Sequence, residues 1–256
     1  MVSVSRKELE SWINEYLDVY SVSDYLPNGL QVEGTDEINK IVTAVSINMD
    51  VIEKAIKKGA QAIIVHHGLF WKNDDPRITM YRKKRIQELL SHEINLFAYH
   101  LPLDIHQEIS HNRLILQGIG ISGEKIKIPS AKTGLDYGLI GIFENPIKFN
   151  ELIARLNKFL EAESKYFKYG SDYVESVAVV SGAGRTLLDK VIYLDVDAYI
   201  TGDAQENSEY ISREMRINYI YAGHYNTEKP GIAALGEKIK EKFGIDVEFV
   251  KQDNPL

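Results

Sequence analysis

The chain contains no cysteine. Disulfides, a thiolate nucleophile, a thiolate metal site and an iron–sulfur cluster are therefore excluded. The absence is compatible with a reducing cytoplasm. No apolar run approaches the roughly 20 residues that cross a bilayer. The opening stretch from Met1 to Glu10 lacks the apolar segment of a signal peptide, so a cytoplasmic location without a membrane partner is expected. A basic excess is also missing: 30 Lys and Arg stand against 37 Asp and Glu, a net charge of −7. A protein that grips duplex DNA as its main task usually shows the opposite balance. Nucleic acid is thus disfavoured as the chief partner, although a local basic surface is not excluded. No short repeat, low-complexity tract or serine nucleophile elbow is present.

What is there is an alternation of apolar strand-like runs with amphipathic helical runs over 256 residues, enough for two ordinary domains. The first half predicts a helix over 5–17 with Leu9, Trp12, Ile13 and Tyr16 on one face, then strands at 41–47, 62–65 and 96–99 and helices at 51–58 and 81–90. Gly59 and Gly68 mark element ends where positive φ is expected. The second half predicts strands at 138–142, 177–180, 198–201 and 219–222. Helices are expected at 187–192 and 206–213, and another is capped by Asn150 with Leu152, Ile153, Leu156, Phe159 and Leu160 on its face. A last helix carries Ile232, Leu235, Ile239 and Phe243 and ends at Gly244. The expected fold class is α/β, with two similar layered halves built on mainly parallel sheets. The boundary falls in the polar stretch 120–134, giving halves of 1–127 and 128–256.

Five side chains of metal-ligating type each follow an apolar strand. They are His66 and His67 in Ile-Ile-Val-His-His-Gly, Asp104 in His-Leu-Pro-Leu-Asp, and His224 and Glu228 in Gly-His-Tyr-Asn-Thr-Glu. Three imidazoles and two carboxylates are too rich for a structural zinc and suit two divalent ions side by side. If they meet, the site lies in a cleft between the halves. One ion would take His67 and Asp104 and the other His66 and His224, with Glu228 bridging and acting in catalysis through the water it helps position. Each motif also has a plainer reading. An isolated His-His pair is equally one buried and one exposed histidine. Glu228, in a helix expected to begin near Thr227, reads better, taken alone, as a first-turn carboxylate favoured by the helix dipole. Asp104 alone likewise reads better as a turn or capping aspartate. Their shared position at strand ends weakens these readings together. His100 would orient a ligand or donate a proton, or is a packed histidine. His92, His106 and His111, in polar surroundings, are expected at the surface.

The segment 72–87 holds Lys72, Arg77, Arg82, Lys83, Lys84 and Arg85 against Asp74 and Asp75, six minus two, or +4. It would steer an anionic substrate, with Lys72, Arg82 and Arg85 as binding residues, or it is a solvated helix face. Ser181-Gly182-Ala183-Gly184 lacks the lysine of a phosphate-binding loop and the spacing of a dinucleotide fingerprint, so a tight turn is expected. Asp203, after Thr201-Gly202, lines the site or caps the following helix.

These residues carry a resemblance. Pro27-Asn28-Gly29-Leu30-Gln31-Val32-Glu33-Gly34, the His66-His67-Gly68 motif with Phe70-Trp71-Lys72, His100 to Asp104, Ser181-Gly182, Asp197-Ala198 with Thr201-Gly202-Asp203, and Gly223-His224 with Glu228 occur in one order along the chain. In this it resembles the NIF-three-like family, whose members carry the label GTP cyclohydrolase I type 2 homologue. The resemblance implies a dinuclear centre of iron, manganese, zinc or nickel on His66, His67, Asp104, His224 and Glu228, and a homohexameric ring built from dimers. It also implies the compact form without the domain that larger members insert between the halves. The acid at Asp203 is often glutamate in relatives. The function expected is metal-dependent hydrolysis of a small anionic or nucleotide substrate. The alternatives are a metal-containing regulatory ring that contacts nucleic acid or a protein partner, and a metal-handling factor.

Overall fold

The structure is a computed structural model that describes residues 2–122, 124–129 and 136–254. It divides into two compact units, one of residues 1–106 with 231–253 and one of 107–230 with 254–256. This differs from a single cut between 127 and 128. The end of the chain returns to the first unit, where the last strand pairs with a strand near the start. Of the stretch 120–134, residues 123 and 130–134 lie outside the described residues.

The first unit contains β1 (Val4–Ser5), α1 (Arg6–Tyr16), β2 (Gly29–Val32), β3 (Glu37–Ile38), β4 (Lys40–Ser46), α2 (Met49–Lys58), β5 (Ala62–His67), α3 (Met80–Ser91), β6 (Asn95–Ala98) and α4 (Leu101–Asp104). Ser5 caps α1 by accepting from the Glu8 amide, and Leu9 and Ile13 are buried one turn apart. Asn48 caps α2 in the same way through Val51, worth about 1 kcal/mol. That helix stops at Gly59, whose φ of 66° suits glycine. Strand β5 is buried along Ala62–Val65, as expected of a central strand covered on both faces. Ile63 and Val65 pack into one apolar cluster with Ile52, Leu89 and Leu96.

The second unit contains α5 (His111–Ile119), β7 (Glu124–Pro129), β8 (Asp136–Lys148), α6 (Phe149–Leu160), β9 (Lys165–Lys168), β10 (Tyr173–Val180), α7 (Leu188–Val191), β11 (Ala198–Thr201), α8 (Glu206–Met215) and β12 (Asn218–Tyr221). Helix α9 (His224–Phe243) begins in this unit and gives its part from Gly231 onward to the first, which also holds β13 (Asp246–Phe249). Along β10 the alternation of side chains sends Val177 and Val179 into one core and Ala178 and Val180 into another. The capping role expected of Asn150 is not seen. Helix α6 starts two residues earlier, at Phe149 after Lys148, which makes no side-chain cap.

The first sheet has the order β13-β4-β5-β6-β2, parallel except for the β2 edge. The second has the order β7-β8-β10-β11-β12-β9. Its β10, β11 and β12 are parallel, and it carries antiparallel strands on both sides. Each unit is therefore an α/β structure built on a parallel centre, and the second is the more mixed. One antiparallel addition follows chain order: β7 pairs with β8, its neighbour in sequence.

Candidate metal centre

In the first unit the histidines sit where strands end. Strand β5 finishes at His67, whose carbonyl accepts from the Ile47 amide at 3.0 Å. His66 is fully buried and His67 half-buried, yet their ring centroids are 4.6 Å apart. Neighbouring side chains diverge along a continuing strand; at its last two residues these rings meet. Gly68 does not supply a positive φ. Its role is space: a Cβ there would come within 2.3 Å of the Gln31 side chain. That amide accepts from the Leu69 N–H and donates to the Pro27 carbonyl.

His66 Nδ1 lies 2.9 Å from the Tyr99 carbonyl oxygen. A carbonyl only accepts, so Nδ1 carries the proton and Nε2 is the ligand-type nitrogen of the neutral ring. That Nε2 is 3.6 Å from Oδ1 of Asp104, a fully buried carboxylate at the end of α4. His67 Nδ1 is 2.9 Å from Ser46 Oγ. One ring nitrogen from each of His66, His67 and His100 lies within 4.8 Å of the other two.

The residue that holds His100 was not legible in the sequence. Asp24 places Oδ1 3.0 Å from His100 Nδ1. It also accepts from the amides of Tyr25 and Leu101 and from the side chain of Asn28. Burial pushes the Asp24 carboxyl upward, but the His100 ring, then Asn28 and the Leu101 amide, outweigh it and hold the group below the usual aspartate value. Asn28 Oδ1 in turn accepts from the His100 amide at 2.7 Å. The Pro27-Asn28-Gly29 motif therefore builds a loop around His100, and its working acid lies three residues upstream of the motif. Tyr25 and Trp71 stand edge-on to the His100 ring, at 5.0 and 5.3 Å.

The second unit carries the other two expected ligands. Helix α9 begins at His224, three residues earlier than expected, and Pro230 lies inside it rather than in its first turn. The earlier start puts His224 and Glu228 on one helical face, one turn apart. Nε2 of His224 is 3.2 Å from Oε1 of Glu228, whose side chain is 2% exposed. Burial lowers the His224 pKa, but the Glu228 hydrogen bond and charge, with a smaller contribution from Asp203, reverse this and leave it raised. Gly182 forms the floor. Its φ is +60°, and a Cβ there would fall 2.2 Å from Glu228 Oε1 and 3.1 Å from His224 Nε2. The Ser181-Gly182 stretch is thus a turn, and its lack of a side chain makes room for the carboxylate.

Asp203 pairs with Arg185 and does not cap the next helix, whose N-cap is Gln205. It lines a cavity of about 390 Å³ together with Lys165, Tyr221, His224 and Asn226. That volume is in the range of small-molecule sites.

Elsewhere the expected residues divide. In the basic segment Arg82 is buried and bonded to Asp74 at 2.6 Å, and it also donates to the Asp75 carbonyl. Arg77 pairs with Asp75. Arg85 is half-buried over the Tyr81 ring, and burial lowers its pKa. Lys72, Lys83 and Lys84 are exposed. His92 is at the surface as expected. His106 is half-buried against Tyr16. His111 corrects the surface expectation: it is fully buried, because it opens α5 beside Asn112, whose side chain bonds inward to the Tyr137 carbonyl and the Ser181 amide.

Imidazole nitrogens and carboxylate oxygens without sulfur form a donor set for borderline divalent cations. A carboxylate as buried as Asp104 or Glu228 is costly unless it faces positive charge. Both stand against an imidazole, and Gly182, which has no Cβ, leaves room for the Glu228 carboxylate. The residues fit divalent metal. Among the described residues no helix is long and apolar enough to cross a membrane.

Fold and side chains together define an α/β protein with histidine and carboxylate groups that could hold metal. The chain belongs to the Duf34/NIF3 (NGG1p interacting factor 3) family, whose model matches residues 4–255. It is 38% identical over 253 residues to the "GTP cyclohydrolase 1 type 2 homolog" of Vibrio cholerae serotype O1, covering 97% of this chain and 98% of that one. Among solved structures it is similar to one described as "protein ybgI, unknown function", at 35% identity and a TM-score of 0.91, covering 99% and 100% of the two chains. It is also similar to TTHA1606 from Thermus thermophilus, at 32% identity and a TM-score of 0.88 with the same coverage.

Proposed function

We propose that the protein is a metal-dependent hydrolase acting on a small anionic, nucleotide-like substrate, with two divalent ions held by His66, His67, Asp104, His224 and Glu228. The observation that carries this reading is the pairing of a buried carboxylate with an imidazole in each unit, His66 with Asp104 and His224 with Glu228. Bound divalent metal would supply a water deprotonated near neutral pH. The chain's own contribution is positional. Tyr99 and Ser46 hold the rings of His66 and His67 from behind. Gly182 leaves Glu228 its place. The cavity beside His224 is large enough for a heterocycle or sugar, and Lys165 offers a cation at its wall. The name carried by the Vibrio relative points to a guanine nucleotide, and opening its imidazole ring is a hydrolysis of the kind these residues suit. The proposal extends to a cytoplasmic, ring-shaped homohexamer.

The test is a screen of the metal-loaded chain against nucleoside triphosphates and phosphoesters, run beside Glu228→Gln. Metal-dependent release of product that disappears in the variant supports the reading. Turnover unchanged in Glu228→Gln removes that residue from catalysis. No turnover of any substrate under metal loading, with salt-sensitive binding of single-stranded nucleic acid instead, favours the regulatory ring.

A further inference from the structure

The three parallel strands of the second unit end in loops that are laced to one another beside His224 and Glu228. After β10, the Gly182 carbonyl accepts from the Gly202 amide at 3.1 Å. After β11, the Gly202 carbonyl accepts from the Gly223 amide, which follows β12, at 2.8 Å. The loops pack without slack. A Cβ at Gly202 would lie 2.5 Å from the Gly182 carbonyl oxygen and 2.7 Å from the His224 Cα. Two buried tyrosines hold the same loops from the strands: Tyr199 donates to the Gly184 carbonyl and Tyr219 to the Asp203 carbonyl.

One bond in this lacing comes from the ligand-bearing helix itself. Thr227 stands on α9 between His224 and Glu228 in sequence and is fully buried. Its Oγ1 lies 3.0 Å from the carbonyls of Gly223 and His224, and its single proton goes to one of them. Such back-bonding is ordinary for a threonine in a helix. The second contact is not: Oγ1 also accepts from the Gly182 amide, 45 residues away in sequence, at 3.0 Å. Gly182 is therefore held at its N–H by Thr227 and at its carbonyl by Gly202. It is also the residue whose Cα faces Glu228 Oε1 and His224 Nε2. A buried N–H rarely stays without a partner, so loss of the Thr227 hydroxyl frees this turn to shift against the carboxylate.

We infer that Thr227 is a positioning residue for the His224–Glu228 pair. Its hydroxyl pins the Gly182 turn against the pair, so imidazole and carboxylate are set before an ion arrives. This rests on the metal-binding part of the proposed function and not on hydrolysis. Serine can fill the role, because it keeps the hydroxyl. Valine cannot, although it keeps the shape.

Cobalt(II) titration of the full chain, read by visible absorption and metal analysis, tests it, with His224→Gln marking the cobalt that depends on the pair. Thr227→Val should weaken that cobalt about 10- to 100-fold, the range for losing the outer support of a ligand. Thr227→Ser should restore the parent affinity. Ser212→Ala removes a buried hydroxyl that bonds the Ser208 carbonyl on α8, and it should leave cobalt affinity at the parent value even as stability falls. Parent-like affinity in Thr227→Val overturns the inference, as does an equal loss in Thr227→Ser or in Ser212→Ala. Hydrogen exchange of the metal-free parent covers the case in which Thr227→Val does not fold. The Gly182 amide should exchange slowly there, and exchange at the rate of an open loop overturns the inference. A parent chain that binds no cobalt removes the metal reading and this inference together. Cobalt bound equally by the parent and Thr227→Val removes this inference alone.

Discussion

His224 Nε2 and Glu228 Oε1 are 3.2 Å apart on one turn of helix, and the Cα of Gly182 lies opposite both. Position 182 is therefore the place where a single methyl group tests the geometry. Gly182→Ala meets two obstacles. The left-handed backbone conformation costs an L-residue about 1–2 kcal/mol, and the new Cβ collides with the Glu228 carboxylate. Urea unfolding should show a loss of at least about 1 kcal/mol, and the purified variant should hold less metal. Parent-like stability together with parent-like metal content would contradict the described floor.

The basic segment makes a second prediction, because its charges are not equivalent. Arg82 is buried against Asp74 and the Asp75 carbonyl, whereas Lys83 and Lys84 point to solvent. Asp74 is 42% exposed, so the ion pair itself contributes about 1 kcal/mol or less, and the larger loss comes from the buried guanidinium's bond to the Asp75 carbonyl and its packing, while surface changes stay within about 0.5 kcal/mol. Arg82→Ala should lower the midpoint of thermal unfolding by several degrees. Lys83→Ala and Lys84→Ala should leave it unchanged and act only on the salt dependence of substrate capture. Equal effects at the three positions would contradict the distinction that burial draws between Arg82 and the two lysines.

Asp24 predicts an acid limb of stability. Its carboxyl sits below the ordinary value in the folded chain. The unfolded chain therefore binds its proton first as pH falls, and folding is favoured by the ionised carboxylate above the ordinary aspartate value of about 3.9. That contribution declines as pH drops through the folded value. Circular dichroism between about pH 5 and pH 2 should show a shallower acid loss in Asp24→Asn than in the parent, from a lower starting stability. Parallel curves would assign the acid transition to other carboxylates.

How much of this was legible in the sequence follows from which signals are local. Strand ends, Gly59 and the apolar faces of α1 and α6 are written in spacing of three, four or two residues, and they appear as expected. The five residues proposed as ligands stand out in the sequence for the same reason, since each follows an apolar run. Asp24 was not, because its partner His100 lies 76 residues away and no periodicity links them. His111 looked exposed because its neighbours are polar, but Asn112 turns that end of α5 inward. Pro230 suggested a helix start near Thr227. A proline lacks the N–H of a helix interior, yet α9 runs through it, and only the structure places His224 at the first turn. The return of β13 to β4 is likewise a long-range pairing that no local pattern announces.

The most direct test of the account is metal analysis of the purified full chain after loading with iron(II), manganese(II), zinc(II) or nickel(II), beside the Glu228→Gln and His66→Gln variants. The account predicts two divalent ions per parent chain, about one after Glu228→Gln, and a loss in His66→Gln as well. A parent chain that retains no divalent ion above background, or variants that retain the parent's full complement, would contradict it.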